Sequence, residues 1–144
     1  LSKIGYNVGC IKHAHHDFEL DTPGKDSYEI RKSGAVPMVI SSKTRFGLIY
    51  ENKNEDEKTL FQMIDFFSNQ VFKKTNLLII EGYKNEPIQK LEIYRHELEK
   101  PLLYTKDRHI FALASNKDIK TDLPLLDLDN INQIARFIEN KFLV

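Results

Sequence analysis

Short apolar runs alternate with helix-spaced stretches along the chain. Val8-Gly9-Cys10-Ile11 follows Gly5 and predicts a first strand. A long polar run, Lys12 to Ser27, comes next. Lys25 to Ser33 then predicts a short helix closed by Gly34, opened either by Thr22 with Pro23 at its first position or by Asp26 as cap. Val36 to Ser41 and Phe46 to Glu51 are β-rich, have no helix between them, and predict neighbouring strands in an antiparallel part of the sheet. Pro37 has no N–H for a ladder and belongs at a strand start or edge. Asn52 to Glu57 reads as a solvated loop.

From Asp56 the period changes. Leu60, Met63, Ile64, Phe67 and Val71 recur at helical spacing, with Asp56 as cap and Lys73 and Lys74 near the positive-charge-favouring end. Leu77-Leu78-Ile79-Ile80 is an unbroken apolar run, which predicts a central parallel strand buried on both faces and ending in Glu81-Gly82. Leu91 to Tyr94 predicts a short strand, Arg95 to His109 a mixed loop, and Ile110 to Ala114 a further buried strand ending in Ser115-Asn116-Lys117-Asp118. Leu125-Leu126 predicts a last strand. Asp129 is placed to cap a final helix with Ile131, Ile134, Ala135, Ile138 and Phe142 on one stripe. Strands alternating with helices predict an α/β fold with a mixed, mostly parallel sheet and helices on both faces.

The chain has 144 residues, which predicts one domain. Its 21 basic and 21 acidic residues cancel, so nothing draws the whole molecule to nucleic acid or to an anionic membrane. No apolar run approaches membrane-spanning length. The single cysteine, Cys10, excludes an internal disulfide and suits a reducing, cytoplasmic setting. Leu1 to Ile4 before Gly5 read as the last turn of a helix whose earlier residues lie upstream.

Candidate chemistry gathers after the strands. In a parallel sheet, Lys12 onward, Glu81-Gly82 and Ser115 to Asp118 would lie along one edge, where ligands bind. His13, His15, His16 and Asp17 allow three readings: a transition-metal site, phosphate or water contacts with Asp17 holding magnesium, or a polar loop. Glu81-Gly82 has the form of a strand-end carboxylate for magnesium followed by a glycine that admits a phosphate, a form that plain turns share. Gly24-Lys25 imitates a phosphate loop, but Glu19 stands where the first glycine is needed and Asp26 where Ser or Thr is needed. It reads instead as the start of the helix, and the chain as it stands contains no phosphate loop. Ser115 to Asp118 loosely resembles a purine-contacting loop.

Together these stretches resemble the MobB family of molybdopterin-guanine dinucleotide biosynthesis adapter proteins. The similarity lies in Gly5 to Phe18, Asp21 to Tyr28, Arg31 to Ala35, Glu81-Gly82-Tyr83-Lys84, Lys90 to Arg95 and Ala112 to Ser115. The resemblance implies a three-layer P-loop NTPase-like fold, a single GTP-binding domain over residues 1–144 lacking the N-terminal strand and phosphate loop, GTP and Mg2+ as ligands, weak GTP hydrolysis at most, and a homodimer. It also implies a partner, the molybdenum cofactor guanylyltransferase that joins GMP to molybdopterin. Asp17 and Glu81 would be magnesium-side carboxylates. His13, Lys25 and Asp26 would line the phosphate site, Gly82 would approach the terminal phosphate, and Asn116 would lie near the base. The alternatives are a histidine-rich metal-handling protein and a non-catalytic interaction module.

Overall fold

The computed structural model describes residues 1–52, 56–68 and 70–144. The loop expected over Asn52 to Glu57 therefore lies partly outside the described residues. The chain divides into two compact units, residues 1–12 with 67–144, and residues 13–66.

The first unit carries the parallel strands. Ser2–Ile4 form a 3-10 turn ended by Gly5 at φ +103°, so the glycine cap expected after Ile4 is present. β1 (Val8–Lys12) pairs in parallel with β4 (Leu77–Glu81), and Lys12 stands level with Glu81. A Cβ on Gly9 would sit 3.2 Å from side-chain atoms of Leu78, Phe72 and Thr75, which is why this strand carries a residue without one. β5 (Lys90–Tyr94), β6 (Ile110–Ser115) and β7 (Leu125–Asp127) form a second parallel sheet in the order β5-β6-β7.

The strand buried on both faces is β6, not β4. Ala112, Leu113 and Ala114 are fully buried, whereas Ile79 on β4 is 45% exposed. The physical reason is pairing. Among the described residues β4 has one neighbour, while β6 has one on each side and also packs its Phe111 ring against Phe137 and Phe142 of α3 (Ile131–Phe142). The apolar run alone does not distinguish these situations.

The segment from Arg95 to His109 holds a 3-10 turn, His96–Leu98, and further turns, without a strand. It is tied down by polar contacts. The buried Glu92 carboxylate accepts from the backbone N–H groups of Leu103 at 2.7 Å and Tyr104 at 2.9 Å. The Asp107 carboxylate meets Lys90 Nζ at 2.6 Å and His109 Nδ1 at 3.0 Å. The Lys90 hydrogen bond above all, with the backbone N–H of His109, holds Asp107 down at about 2 against its ordinary 3.8. A carboxyl depressed in the folded state stabilises the fold above its unfolded value and loses that contribution as pH falls toward the folded one. Asp107→Asn is therefore expected to lower the urea midpoint near neutral pH, with the gap to the parent narrowing as pH falls from 3.8 toward about 2. A constant gap across that range would refute this assignment.

The second unit holds α1 (Asp26–Lys32), the antiparallel hairpin of β2 (Met38–Ser41) and β3 (Phe46–Ile49), and most of α2 (Leu60–Ser68). Pro37 stands just before β2, as its missing N–H requires.

The expected caps shift in all three helices. α1 starts after Lys25 because Gly24, at φ +82°, lies in the left-handed region and cannot be helical. Lys25 N–H donates to Thr22 O, so Thr22 to Lys25 form a turn and Asp26 is the first helical residue rather than the cap. α2 is capped by Thr59, not Asp56. Thr59 Oγ1 accepts from Gln62 N–H while Gln62 Oε1 accepts from Thr59 N–H, the reciprocal pair of a capping box. α3 is capped by Asn130, whose side chain accepts from Gln133 N–H, rather than by Asp129.

Two stripe expectations also change. α2 ends at Ser68, so Val71, Lys73 and Lys74 lie in the turns beyond it and the lysines do not complement its dipole. Leu60 is the buried anchor of that stripe. In α3, Ile131 is exposed at the helix start, and Phe137, outside the expected stripe, stacks on Phe111.

Candidate functional site

In the first unit, Lys12 and Glu81 close the parallel pair of β1 and β4, so their side chains emerge at the same strand edge. Lys12 Nζ donates to Glu81 Oε1 at 2.8 Å, and this bond raises the Lys12 ammonium above its ordinary value. Gly82 follows directly at φ +89°, a left-handed conformation that glycine takes without strain. Glu81 and Gly82 therefore present an exposed carboxylate and an open backbone side by side.

At the carboxyl ends of β6 and β7 lies an open cleft of about 380 Å³, within the size range of small-ligand sites. Its walls include Asn116, Lys117, Asp118, Leu126, Asp127 and Gln133. Asn116 is engaged inside the protein. Its amide nitrogen donates to Glu97 Oε1 at 2.5 Å and its Oδ1 accepts from His96 N–H at 3.0 Å. The Asn116 bond is also the main cause holding the Glu97 carboxyl below its ordinary range. Lys117 Nζ lies 3.1 Å from His96 Nε2. Asn116 thus fixes the turn at His96–Leu98 against the end of β6. The contribution of β7 and α3 to this cleft is not contained in the Ser115 to Asp118 motif; the β6–β7 parallel pairing creates it.

In the second unit, His13 Nε2 lies 2.7 Å from Glu57 Oε1, and the His13 and His15 rings are 5.0 Å apart. His15, His16 and Asp17 are exposed. Among the described residues, no group of three or more His, Cys, Asp or Glu side chains is assembled to hold a metal ion. Lys25 precedes α1, and Asp26 is its first residue, where a negative charge suits the helix dipole. Magnesium takes hard oxygen donors, and both Asp17 and Glu81 offer exposed carboxylates, so the donor chemistry fits that ion.

Residues 1–116 match the family model described as molybdopterin guanine dinucleotide synthesis protein B. This chain belongs to that family. It is 37% identical over 140 residues, 96% of the chain and 78% of the relative, to the molybdopterin-guanine dinucleotide biosynthesis adapter protein of Escherichia coli K12. It is 34% identical over 134 residues, 92% of the chain and 71% of the relative, to the Haemophilus influenzae adapter protein. A crystal structure of molybdopterin-guanine biosynthesis protein B aligns with a TM-score of 0.71 at 20% identity, covering 97% of this chain and 84% of that one. That likeness places the chain in the family's α/β, P-loop-like fold with mostly parallel sheets. No helix among the described residues is long and apolar enough to cross a membrane.

Proposed function

We propose that this family member is a GTP-binding adapter in the synthesis of the molybdopterin guanine dinucleotide form of the molybdenum cofactor. The observation that carries the reading is the 37% identity to the Escherichia coli adapter protein across 96% of the chain. The end of β4 supports it, since an exposed carboxylate followed by a left-handed glycine suits a magnesium–phosphate group.

Asp17 and Glu81 are the proposed magnesium-side carboxylates. His13, Lys25 and Asp26 are proposed for the phosphates, Gly82 for close approach to the terminal phosphate, and Asn116 for the neighbourhood of the base. Bound Mg2+ would offset phosphate charge. In this role the chain acts as one GTP-binding domain, with hydrolysis weak at most. Asn116 also holds the turn at His96–Leu98 beside that position, through its bonds to Glu97 and His96.

Calorimetry of the full-length protein with GTP tests the reading. Saturable binding that needs Mg2+ and is lost in EDTA is expected, and absence of binding would sink it.

The proposed partner is the guanylyltransferase that attaches GMP to molybdopterin; failure of the two proteins to co-purify or co-sediment would refute this. A cytoplasmic location is proposed and is checked by cell fractionation. A homodimer is supported by the β2–β3 hairpin, which exposes Val39, Ile40 and Phe46. A two-stranded hairpin gains little stability alone, and exposed apolar strands favour a partner. A monomer in sedimentation equilibrium would overturn the dimer.

A further inference from the structure

Residues 13–25 contain neither strand nor helix. This loop carries three of the proposed GTP-site residues, His13, Asp17 and Lys25. Apolar burial does not hold its middle in place, because Phe18 is 70% and Leu20 73% exposed. What holds it is a chain of polar contacts that starts on α1. Arg31 is only 6% exposed, and its guanidinium reaches two carboxylates. One nitrogen bonds Glu51, at the end of the hairpin, and the other bonds Glu19 Oε2 at 2.5 Å. Glu19 uses its second oxygen, Oε1, to accept the backbone N–H groups of Leu20 and Asp21, both at 3.0 Å. Asp21 Oδ1 then accepts from Thr22 N–H at 2.8 Å and from Ser27 Oγ at 3.0 Å, which returns the chain of contacts to α1 beside Asp26.

We infer that Arg31 is a positioning residue for GTP binding: its two-carboxylate clamp fixes the Glu19–Asp21 turn, and through that turn the segment that carries Asp17 and Lys25. The inference rests on the GTP-binding reading above. A guanidinium is suited to the task because two of its nitrogens can each bond a separate carboxylate in a fixed geometry, which a lysine ammonium does not reproduce. A buried arginine with two acidic partners is also costly to leave half-satisfied, so the turn and the arginine order each other.

The test follows backbone amide exchange by NMR and GTP binding by calorimetry on the same samples of full-length protein. In Arg31→Lys the amides of Leu20 and Asp21 are expected to lose protection about tenfold, the scale of one charge-assisted hydrogen bond. GTP affinity in Mg2+ should fall about tenfold, as when support for a ligand-bearing segment is removed. The amides of Leu113 and Ala114 in β6 should keep their protection. Glu19→Gln, at an exposed side chain, should give the same pattern without removing a buried group. The double variant should be no worse than the weaker single one, because both act along one path. Unchanged exchange at Leu20 and Asp21 overturns the clamp. Lost protection with unchanged GTP affinity overturns its positioning role. A parent protein that binds no GTP overturns the GTP reading and the positioning role together, while the exchange data still decide the clamp.

Discussion

Replacing Leu113 by alanine is expected to destabilise the protein by about 2–5 kcal/mol, the usual range for emptying a closed leucine site. Leu113 is fully buried in the middle strand of a parallel sheet. It stands level with Glu92 on β5 and Leu125 on β7. Its neighbours in the strand, Ala112 and Ala114, are also fully buried and point to the opposite face of the sheet, so they cannot fill the space it would leave. The loss should appear as a lower urea midpoint at unchanged slope, with a melting temperature lower by roughly 10 °C. Ile93→Ala serves as the contrast. Ile93 is more than half exposed on the neighbouring strand, and its removal should cost well below 1 kcal/mol, as surface substitutions do. A loss below about 1 kcal/mol for Leu113→Ala would mean that β6 is not the core strand.

Glu81→Gln is expected to weaken GTP binding in Mg2+ by about tenfold or more, on the scale of losing a metal-supporting carboxylate. In EDTA neither the parent nor the variant should bind GTP. The amide keeps the size of the side chain and removes its charge, so the hard anionic oxygen that suits magnesium is lost. Lys12 also loses the partner that raises its ammonium. Both members of the Lys12–Glu81 pair are largely exposed, so the stability cost should be small, as for other surface ion pairs. Binding and stability should therefore separate in this variant. Unchanged GTP affinity of Glu81→Gln across a Mg2+ titration would place Glu81 outside any magnesium role.

Several elements were legible because local patterns encode them. β1 begins at Val8 as expected and runs one residue further, and β4, β5 and β7 appear within a residue of their apolar runs. The antiparallel hairpin after α1 follows from two β-rich runs with no helix between them. Gly24-Lys25 leads into a helix, as expected, but from outside it: Gly24, at positive φ, lies in the turn before Asp26. The capping box at Thr59-Leu60-Phe61-Gln62 was also present in the sequence, three residues beyond the Asp56 favoured there; its Thr-x-x-Gln spacing is the signal that identifies it.

The amino-acid sequence by itself determined the order of elements, the mostly parallel α/β class and the family resemblance. These depend on periodicity, turn chemistry and short motifs, all carried by residues close in the chain. Tertiary structure alone decided which apolar strand is buried, since burial depends on how many neighbours a strand acquires. It also decided that Asn116 spends its amide on His96 and Glu97, some twenty residues earlier, and that Arg31 sits between Glu19 and Glu51. A polar side chain's partners are set by where distant segments meet, and no local spacing records that meeting. The polar run from Lys12 to Ser27 is the clearest case: the sequence supplies its ionisable side chains and leaves several readings open, and the fold supplies the arginine that gives part of it a shape.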